Sequence, residues 1–198
     1  MIPMRLTFLL LVANQGIVPP ISVAVVAPTG VTDSLVRRIG AEVQAIWRPT
    51  GIAFEWRRVT SNDEARRMPL EVTIDDRRSS LDPDDALGWL TFTNDDPDRV
   101  IHLSRAAAES LLRQTPGLPD TTIVSHEVLL ARGLGRALAH ECGHYLLRSK
   151  SHTTRGLMRA AWPSDEFFTF NRNGLELTPE QRAAAFGNLW MDSGMARY

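Results

Sequence analysis

The sequence predicts a single domain of the α+β class, in which a mixed, twisted sheet packs on one long helix. Segments typical of strands and helices alternate through the first half of the chain, which favours a sheet with helices packed on it. A long helical pattern and a shorter capped helix follow, which predicts a small helical part at the C-terminus. With 198 residues, 43% of them hydrophobic, the chain is long enough for one sizeable core and short for two.

The first half begins with a β-branched run at 21–27, which predicts a buried strand ending before Pro28. Residues 33–47 show the apolar spacing of an amphipathic helix, with Asp33 predicted as its N-cap. Apolar and polar residues then alternate, as they do in half-buried strands. The strands predicted from this alternation are 52–59 and 70–75.

The middle of the chain is predicted to hold a hairpin. Residues 75–85 form a polar, Asp-rich loop that we expect on the solvated surface. Two strands at 87–93 and 99–104 are predicted around a turn at 94–97, and a short helix follows at 105–114. The mixed order of strands and helices therefore continues up to Pro116.

A long helix is predicted from Thr121 or Thr122 to about Leu147, because small and apolar residues form one stripe along it. That stripe, which suits close packing against a sheet, consists of Ala131, Gly135, Leu138, Cys142 and Leu146. The final helix follows Thr178-Pro-Glu-Gln181, a capping box with proline at the first helical position, and is predicted to run to about Trp190.

Composition excludes several classes of protein. The 22 basic and 23 acidic residues give a formal net charge of −1, so no large positive field exists to bind nucleic acid. The single cysteine excludes an intrachain disulfide framework and a cysteine-based zinc finger. No apolar stretch approaches the ~20 residues that span a bilayer, so stable membrane insertion is not expected.

The N-terminus resembles a secretory signal peptide. An apolar run at 6–13 follows Arg5, and small residues come after it where cleavage could occur. We therefore predict a signal peptide at 1–16, a domain at 17–198 and a secreted or periplasmic location. The alternatives are a buried first strand and a cytoplasmic location.

The residues that point to chemistry are His140-Glu141-Cys142-Gly143-His144, an H-E-x-x-H pattern near the end of the long helix. Residues four apart share one helix face, so His140 and His144 can bind the same metal ion. Glu141 lies about 100° around the helix, where it can take a proton from a metal-bound water. Imidazole ligands favour zinc, so Zn²⁺ is the predicted cofactor.

A catalytic zinc normally has three protein ligands, and His152 is the nearest remaining histidine. Asp165 or Glu166 is the alternative third ligand. His126 lies fourteen residues before His140, about 21 Å away on a continuous helix, which excludes a shared ion. His102 lies in an alternating strand, where a solvated or hydrogen-bonded imidazole is expected.

These residues resemble the motifs of zincin metallopeptidases, and more closely those of the metzincin clan. The clan extends the helix motif to H-E-x-x-H-x-x-G-x-x-H and places a methionine-containing turn beneath the metal, which Gly156-Leu157-Met158 resembles. The resemblance implies a zincin-like domain with His140, His144 and His152 as zinc ligands and Glu141 as general base. It also implies that Met158 is structural beneath the site.

The chain departs from the clan's pattern at two positions. Leu147 stands where the clan has glycine, and the third histidine comes two residues late. In the clan that glycine lets the chain reverse in a left-handed conformation. A longer connection from His144 to His152 must therefore turn without it.

The function predicted from these features is a zinc metalloendopeptidase acting on peptides or proteins. We expect Trp89, Leu90 and Thr91 to lie on an edge strand whose backbone pairs with extended substrate, the alternative being an ordinary sheet strand. Arg136 is expected on a solvated helix face, the alternative being that it lines the cleft. The alternative function is an inactive zincin-fold protein that serves as a binding module; no feature predicts an oligomeric state.

Overall fold

Five strands and five helices form the part of the chain that the computed structural model describes, which is residues 19–76, 86–118 and 123–192. Short 3₁₀ helices lie at Arg48–Thr50 and Ser164–Phe167. In chain order the elements are β1 (Ile21–Val26), α1 (Asp33–Trp47), β2 (Phe54–Arg58), α2 (Asn62–Arg66), β3 (Leu70–Asp75), β4 (Gly88–Thr93), β5 (Asp96–Ser104), α3 (Arg105–Gln114), α4 (Ile123–Leu147) and α5 (Pro179–Asp192). The predicted α+β class with a mixed sheet and a long helix is confirmed.

The strands form one sheet in the order β2-β1-β3-β5-β4. The first four in this order are parallel to their neighbours, whereas β4 pairs antiparallel with β5 and forms one edge. The interior strand β1 has buried side chains on both faces, as parallel strands covered on both sides do. In β3 the buried residues alternate, so its inner face is defined by Leu70, Val72 and Ile74.

The hairpin between β4 and β5 is tighter than predicted. Its turn consists of Asn94 and Asp95 alone, with φ of 51° and 67°, and β5 begins at Asp96 rather than at residue 99. Asparagine and aspartate tolerate the left-handed region, and two such residues make the turn that joins antiparallel strands most directly. Pro97 therefore pairs with Phe92 inside the ladder.

Helix α4 packs closely against α1 on one face of the sheet. A Cβ built on Gly135 would lie 2.6 Å from the Cβ of Glu42, so the two helix backbones approach as only glycine allows. The fully buried Trp47 of α1 donates from Nε1 to the carbonyl of Ala139, at 3.2 Å. This packing fixes the segment of α4 that immediately precedes His140.

The helix boundaries test the predicted caps. Thr32, rather than Asp33, caps α1, because its hydroxyl accepts from the amide of Leu35 at 3.0 Å. The capping box of α5 is confirmed: the Thr178 hydroxyl accepts from the Gln181 amide, and the Gln181 side chain accepts from the Thr178 amide.

Helix α2 was not predicted, although Ser61 and two acidic residues in its first turn mark its start. The sequence pattern fails there because α2 is only five residues long and buries a single side chain, Ala65. It covers the other face of the sheet, where Ala65 packs with Ala24 and Val59.

Two predictions from the sequence concern segments that lie wholly or mostly outside the described residues. The signal peptide predicted at 1–16 and most of the polar loop predicted at 75–85 lie outside the described residues. Within the described ranges, no helix combines the length and the apolar character needed to cross a membrane.

Candidate metal centre

Helix α4 carries the H-E-x-x-H residues in its last two turns. His140 and His144 lie on one face of the helix, with ring centroids 4.7 Å apart and their Nε2 atoms 3.0 Å apart. Glu141 is buried, and Cys142 is completely buried on the core side, as expected. The imidazoles of His140 and His144 therefore both direct their Nε2 atoms towards the same point.

Each of these imidazoles is held by a backbone carbonyl. The Nδ1–H of His140 donates to the carbonyl of Leu157 at 2.7 Å, and that of His144 donates to the carbonyl of Ser149 at 2.6 Å. These assigned bonds place the proton on Nδ1 and leave the Nε2 lone pair free. Metal-ligating histidines are oriented by a partner on their other nitrogen in the same way.

The chain reverses direction directly after α4, at Arg148. This residue has a φ of 48°, in the left-handed region, and Ser149 then donates from its amide to the carbonyl of His144 at 3.2 Å. Leu147, which stands where the metzincin clan has glycine, is still helical. The reversal is therefore displaced by one residue and uses arginine, at a conformational cost of roughly 1–2 kcal/mol.

His152 returns to the end of α4 after this reversal. Its Nε2 lies 3.3 Å from that of His140 and 3.2 Å from that of His144. The amide of the next residue, Thr153, donates to the carbonyl of Met158 at 2.8 Å, which fixes the loop. The longer connection thus brings His152 to the same point as the other two imidazoles.

The three nitrogen atoms fit a zinc ion. A tetrahedral ion bound at about 2.05 Å holds its ligand atoms about 3.3 Å apart, and the observed separations are 3.0, 3.2 and 3.3 Å. Within the described residues, this is the one group of three or more histidine, cysteine, aspartate or glutamate side chains that lie close enough together to share a metal ion. Three imidazoles with a fourth direction left free are the ligand set of a catalytic zinc.

Burial sets the protonation of the site. It lowers the pKa of His140 to about 4, with smaller contributions from the neighbouring imidazoles, and it also lowers the pKa of His144. Both rings are therefore neutral at pH 7, as metal binding requires. Burial raises the pKa of Glu141 to about 7 and that of the Cys142 thiol far above its ordinary value, so the thiol is unreactive.

The other histidines and carboxylates considered as ligands lie elsewhere. His102 stacks on Trp89 with ring centroids 5.1 Å apart, and His126 pairs with Glu109 at 3.1 Å. Glu166 forms an ion pair with Arg159. None of these side chains, nor Asp165, belongs to the three-histidine group found in the described residues.

Met158 packs directly beneath α4. It is fully buried, and a Cβ built on Gly143 would overlap its Sδ atom and lie 3.0 Å from its Cε atom. Gly143 therefore allows the turn that contains Met158 to approach the helix between the two histidines. Gly156, with a φ of 82°, starts this turn under the backbone of Glu176.

We expect Gly143→Ala to lower the free energy of unfolding by about 1–3 kcal/mol, because the new methyl group must displace Met158. Gly187→Ala in α5 is the matched control, since a Cβ there meets nothing within 4 Å. That control is expected to raise stability by up to about 1 kcal/mol through helix propensity. Urea unfolding of both variants measures the two effects, and equal changes of the same sign would contradict the assigned contact.

A cavity of about 310 Å³ adjoins His140 and Glu141. It is bounded on one side by the start of β4 and on the other by the chain from Arg159 to Phe167. Gly88 lies over the glutamate, because a Cβ built on it would be 3.4 Å from the Cγ of Glu141. The antiparallel edge strand therefore begins beside the candidate base.

The residues predicted to meet substrate lie on this edge strand. The Trp89 ring stacks on His102, whereas Leu90 packs against the core that α4 covers. Since successive side chains point to opposite faces, Trp89 and Thr91 project away from α4. Any contact of this strand with a peptide in the cleft would therefore use its backbone.

Arg136 is a correction to the sequence prediction. It was expected on a solvated helix face, but its side chain is 1% exposed and pairs with the buried Glu42 of α1 at 3.1 Å. Its guanidinium also donates to the carbonyls of Glu166, Thr169 and Asn171. The stripe pattern along α4 could not indicate this burial, because the oxygen atoms that accept from Arg136 belong to residues 30 or more positions away.

Arg136→Met is expected to lower the free energy of unfolding by about 3–5 kcal/mol, because three loop carbonyls lose their donor and the buried Glu42 keeps only Arg172 as a partner. Arg113→Met, at a side chain that is 67% exposed, is the control and should change stability by less than about 1 kcal/mol. Denaturant unfolding gives both values. A loss no larger than that of Arg113→Met would argue against this role of Arg136.

The fold and the three-histidine site together define a zincin-like class of structure: a mixed sheet with an antiparallel edge strand above an H-E-x-x-H helix. Among solved structures the chain is similar to the crystal structure of archaemetzincin from Methanopyrus kandleri, with a TM-score of 0.51 and 16% sequence identity. The match covers 89% of this chain and 98% of that one. This likeness shows the fold.

Comparisons by sequence give no match. No protein-family model matches the chain, and a search of curated proteins finds no match either.

Proposed function

We propose that this protein is a zinc-dependent metallopeptidase of the metzincin type, with His140, His144 and His152 as the zinc ligands. The observation that carries the proposal is the convergence of their three Nε2 atoms within 3.3 Å, next to the buried carboxyl of Glu141. The zinc-metallopeptidase-like fold of the archaemetzincin neighbour supports it. Met158 would be the structural methionine beneath the site.

Zinc, when bound, supplies Lewis acidity towards a carbonyl oxygen and towards water. Glu141 would accept a proton from the attacking water at its carboxylate and pass it to the nitrogen of the departing amine. With a pKa raised by burial to about 7, this carboxyl can both take up and release a proton near neutral pH. The carbonyls of Leu157 and Ser149 would keep the ligand rings oriented throughout.

Substrate would lie along β4. This strand is the antiparallel edge of the sheet and begins beside Glu141, so an extended peptide can add to it by backbone hydrogen bonds. Trp89, Leu90 and Thr91 would contribute main-chain groups to that pairing. The cavity beside His140 would receive a side chain that flanks the scissile bond.

A peptide-library digest tests the proposal. The zinc-loaded protein is incubated with a mixture of random-sequence peptides, and new termini are identified by mass spectrometry. Cleavage that disappears on treatment with a chelator and returns with zinc is the expected result. Intact peptides after incubation with fully zinc-loaded protein would contradict it and favour the alternative, a zincin-fold binding module.

A further inference from the structure

The wall of the cavity opposite β4 contains an ion pair that the proposed chemistry does not use. Arg159 lines the cavity, and its Nη2 donates to the carboxylate of Glu166; the side chains are 18% and 35% exposed. The guanidinium lies over the ring of Trp162, 4.4 Å from its centroid. Trp162 in turn donates from Nε1 to the carbonyl of Arg159 at 3.2 Å.

The main chain of Glu166 and the guanidinium of Arg159 are held by contacts other than the ion pair. The carbonyl of Glu166 accepts from the buried Arg136, and the Glu166 amide donates to the carbonyl of Pro163 at 3.1 Å. Stacking on Trp162 limits the movement of Arg159 in the same way. Arg159 is therefore held at the cavity by a contact other than the ion pair, and removing the Glu166 charge would leave an unpaired cation there.

The remaining charged groups of the cavity are accounted for. Arg136 is paired with Glu42, and His140 and Glu141 belong to the candidate metal centre. The rest of the lining is predominantly apolar and includes Leu87, Leu111, Ala137, Ala160, Trp162 and Phe167. As long as Arg159 and Glu166 neutralise each other, the cavity favours a large uncharged side chain, because a buried charge without a partner is costly.

We propose that Arg159 and Glu166 are a specificity-determining pair: Glu166 neutralises the Arg159 guanidinium and so restricts the cavity to an uncharged side chain of the peptide, whereas Arg159 without Glu166 would admit an acidic side chain. This inference rests on the proposed function, since it assigns the substrate class of the same site. The pair acts on selectivity and takes no part in bond cleavage.

The test uses the zinc-loaded wild type, Arg159→Met, Glu166→Gln and the double variant. The peptides share one sequence and differ in a single residue, Phe, Glu or Lys, placed in turn on each side of the scissile bond. The wild type should prefer Phe. Glu166→Gln should raise kcat/KM for the Glu peptide relative to the Phe peptide by about tenfold, whereas Arg159→Met, which removes the charge that lines the cavity, should keep the preference for Phe.

The double variant should return to a preference for Phe, since no charge then remains unpaired. Relative rates within each protein cancel any general loss of activity, and thermal unfolding checks that all four proteins fold. The same order of Phe, Glu and Lys peptides in all four proteins would overturn the inference. A higher kcat/KM for the Glu peptide relative to the Phe peptide in both single variants would also overturn the inference, because the effect would then not follow the charge of the cavity.

A binding experiment separates failure of this inference from failure of the proposed function. The four proteins are prepared with Glu141→Gln as well, and affinities for the same peptides are measured by calorimetry without turnover. The charge-dependent pattern in affinity should appear whether or not the wild type cleaves peptides. If binding shows no such pattern while the wild type does cleave, the specificity pair is wrong and the proposed peptidase activity stands.

Discussion

Glu141→Gln is expected to lower kcat/KM for peptide hydrolysis by about 10²–10⁴-fold while zinc remains bound. The amide has nearly the same shape as the carboxyl, but it cannot accept a proton from the attacking water, and general base catalysis is worth about that factor. The fold should be preserved, because the replacement removes an ionisable group that burial already disfavours in its charged form. Initial rates on one cleavable peptide, with zinc content measured in parallel, give the result.

Glu55→Gln is the matched control for this variant. Glu55 is an exposed residue of β2, at the opposite edge of the sheet from β4, so its replacement should leave kcat/KM unchanged. Undiminished hydrolysis by zinc-loaded Glu141→Gln would remove Glu141 from the mechanism. Loss of zinc together with loss of activity would instead make Glu141 part of the metal-binding site.

His152→Ala is expected to reduce zinc affinity by more than 100-fold. Removing even a hydrogen-bond partner of a zinc ligand costs about 10–100-fold, and this change removes one of three imidazoles that meet within 3.3 Å. Elemental analysis after dialysis against a weak chelator should find about one zinc per chain in the wild type and little in the variant.

His126→Ala is the control for general effects of removing a histidine, since His126 pairs with Glu109 far from the three-histidine group. It should keep the zinc content of the wild type. Equal zinc in the wild type and His152→Ala would contradict the assignment of His152 as a zinc ligand. Absence of zinc from every protein after loading would contradict a metal site altogether.

The elements that follow from short-range patterns were predictable. Three such features are the alternation in β3, the stripe along α4 and the capping box at Thr178. Each depends on residues that are only a few positions apart in the sequence. The same holds for His140 and His144, which share a helix face by spacing alone. His152 was predicted as the remaining nearby histidine, and the structure brings it to the other two.

Features that depend on distant residues were not predictable. The burial of Arg136 requires Glu42 and a loop some 30 residues further on, so no local pattern indicates it. The predicted end of the long helix near Leu147 is confirmed, but the left-handed conformation of Arg148 was not predictable, because the departure from the clan's glycine showed only that the turn must differ. The Arg159–Glu166 pair likewise emerges from the path of a loop without regular periodicity.

The groups that orient His140 and His144 are main-chain carbonyls, and this affects how the protein can diverge. Almost any amino acid at position 149 or 157 supplies the same carbonyl acceptor, so the orientation of the rings does not itself depend on those side chains, although Leu157 is also buried in the core. The residue types by which such a site can be recognised in a sequence are then few, and they lie on and directly after one helix. A protein can therefore keep this geometry while most of its sequence changes.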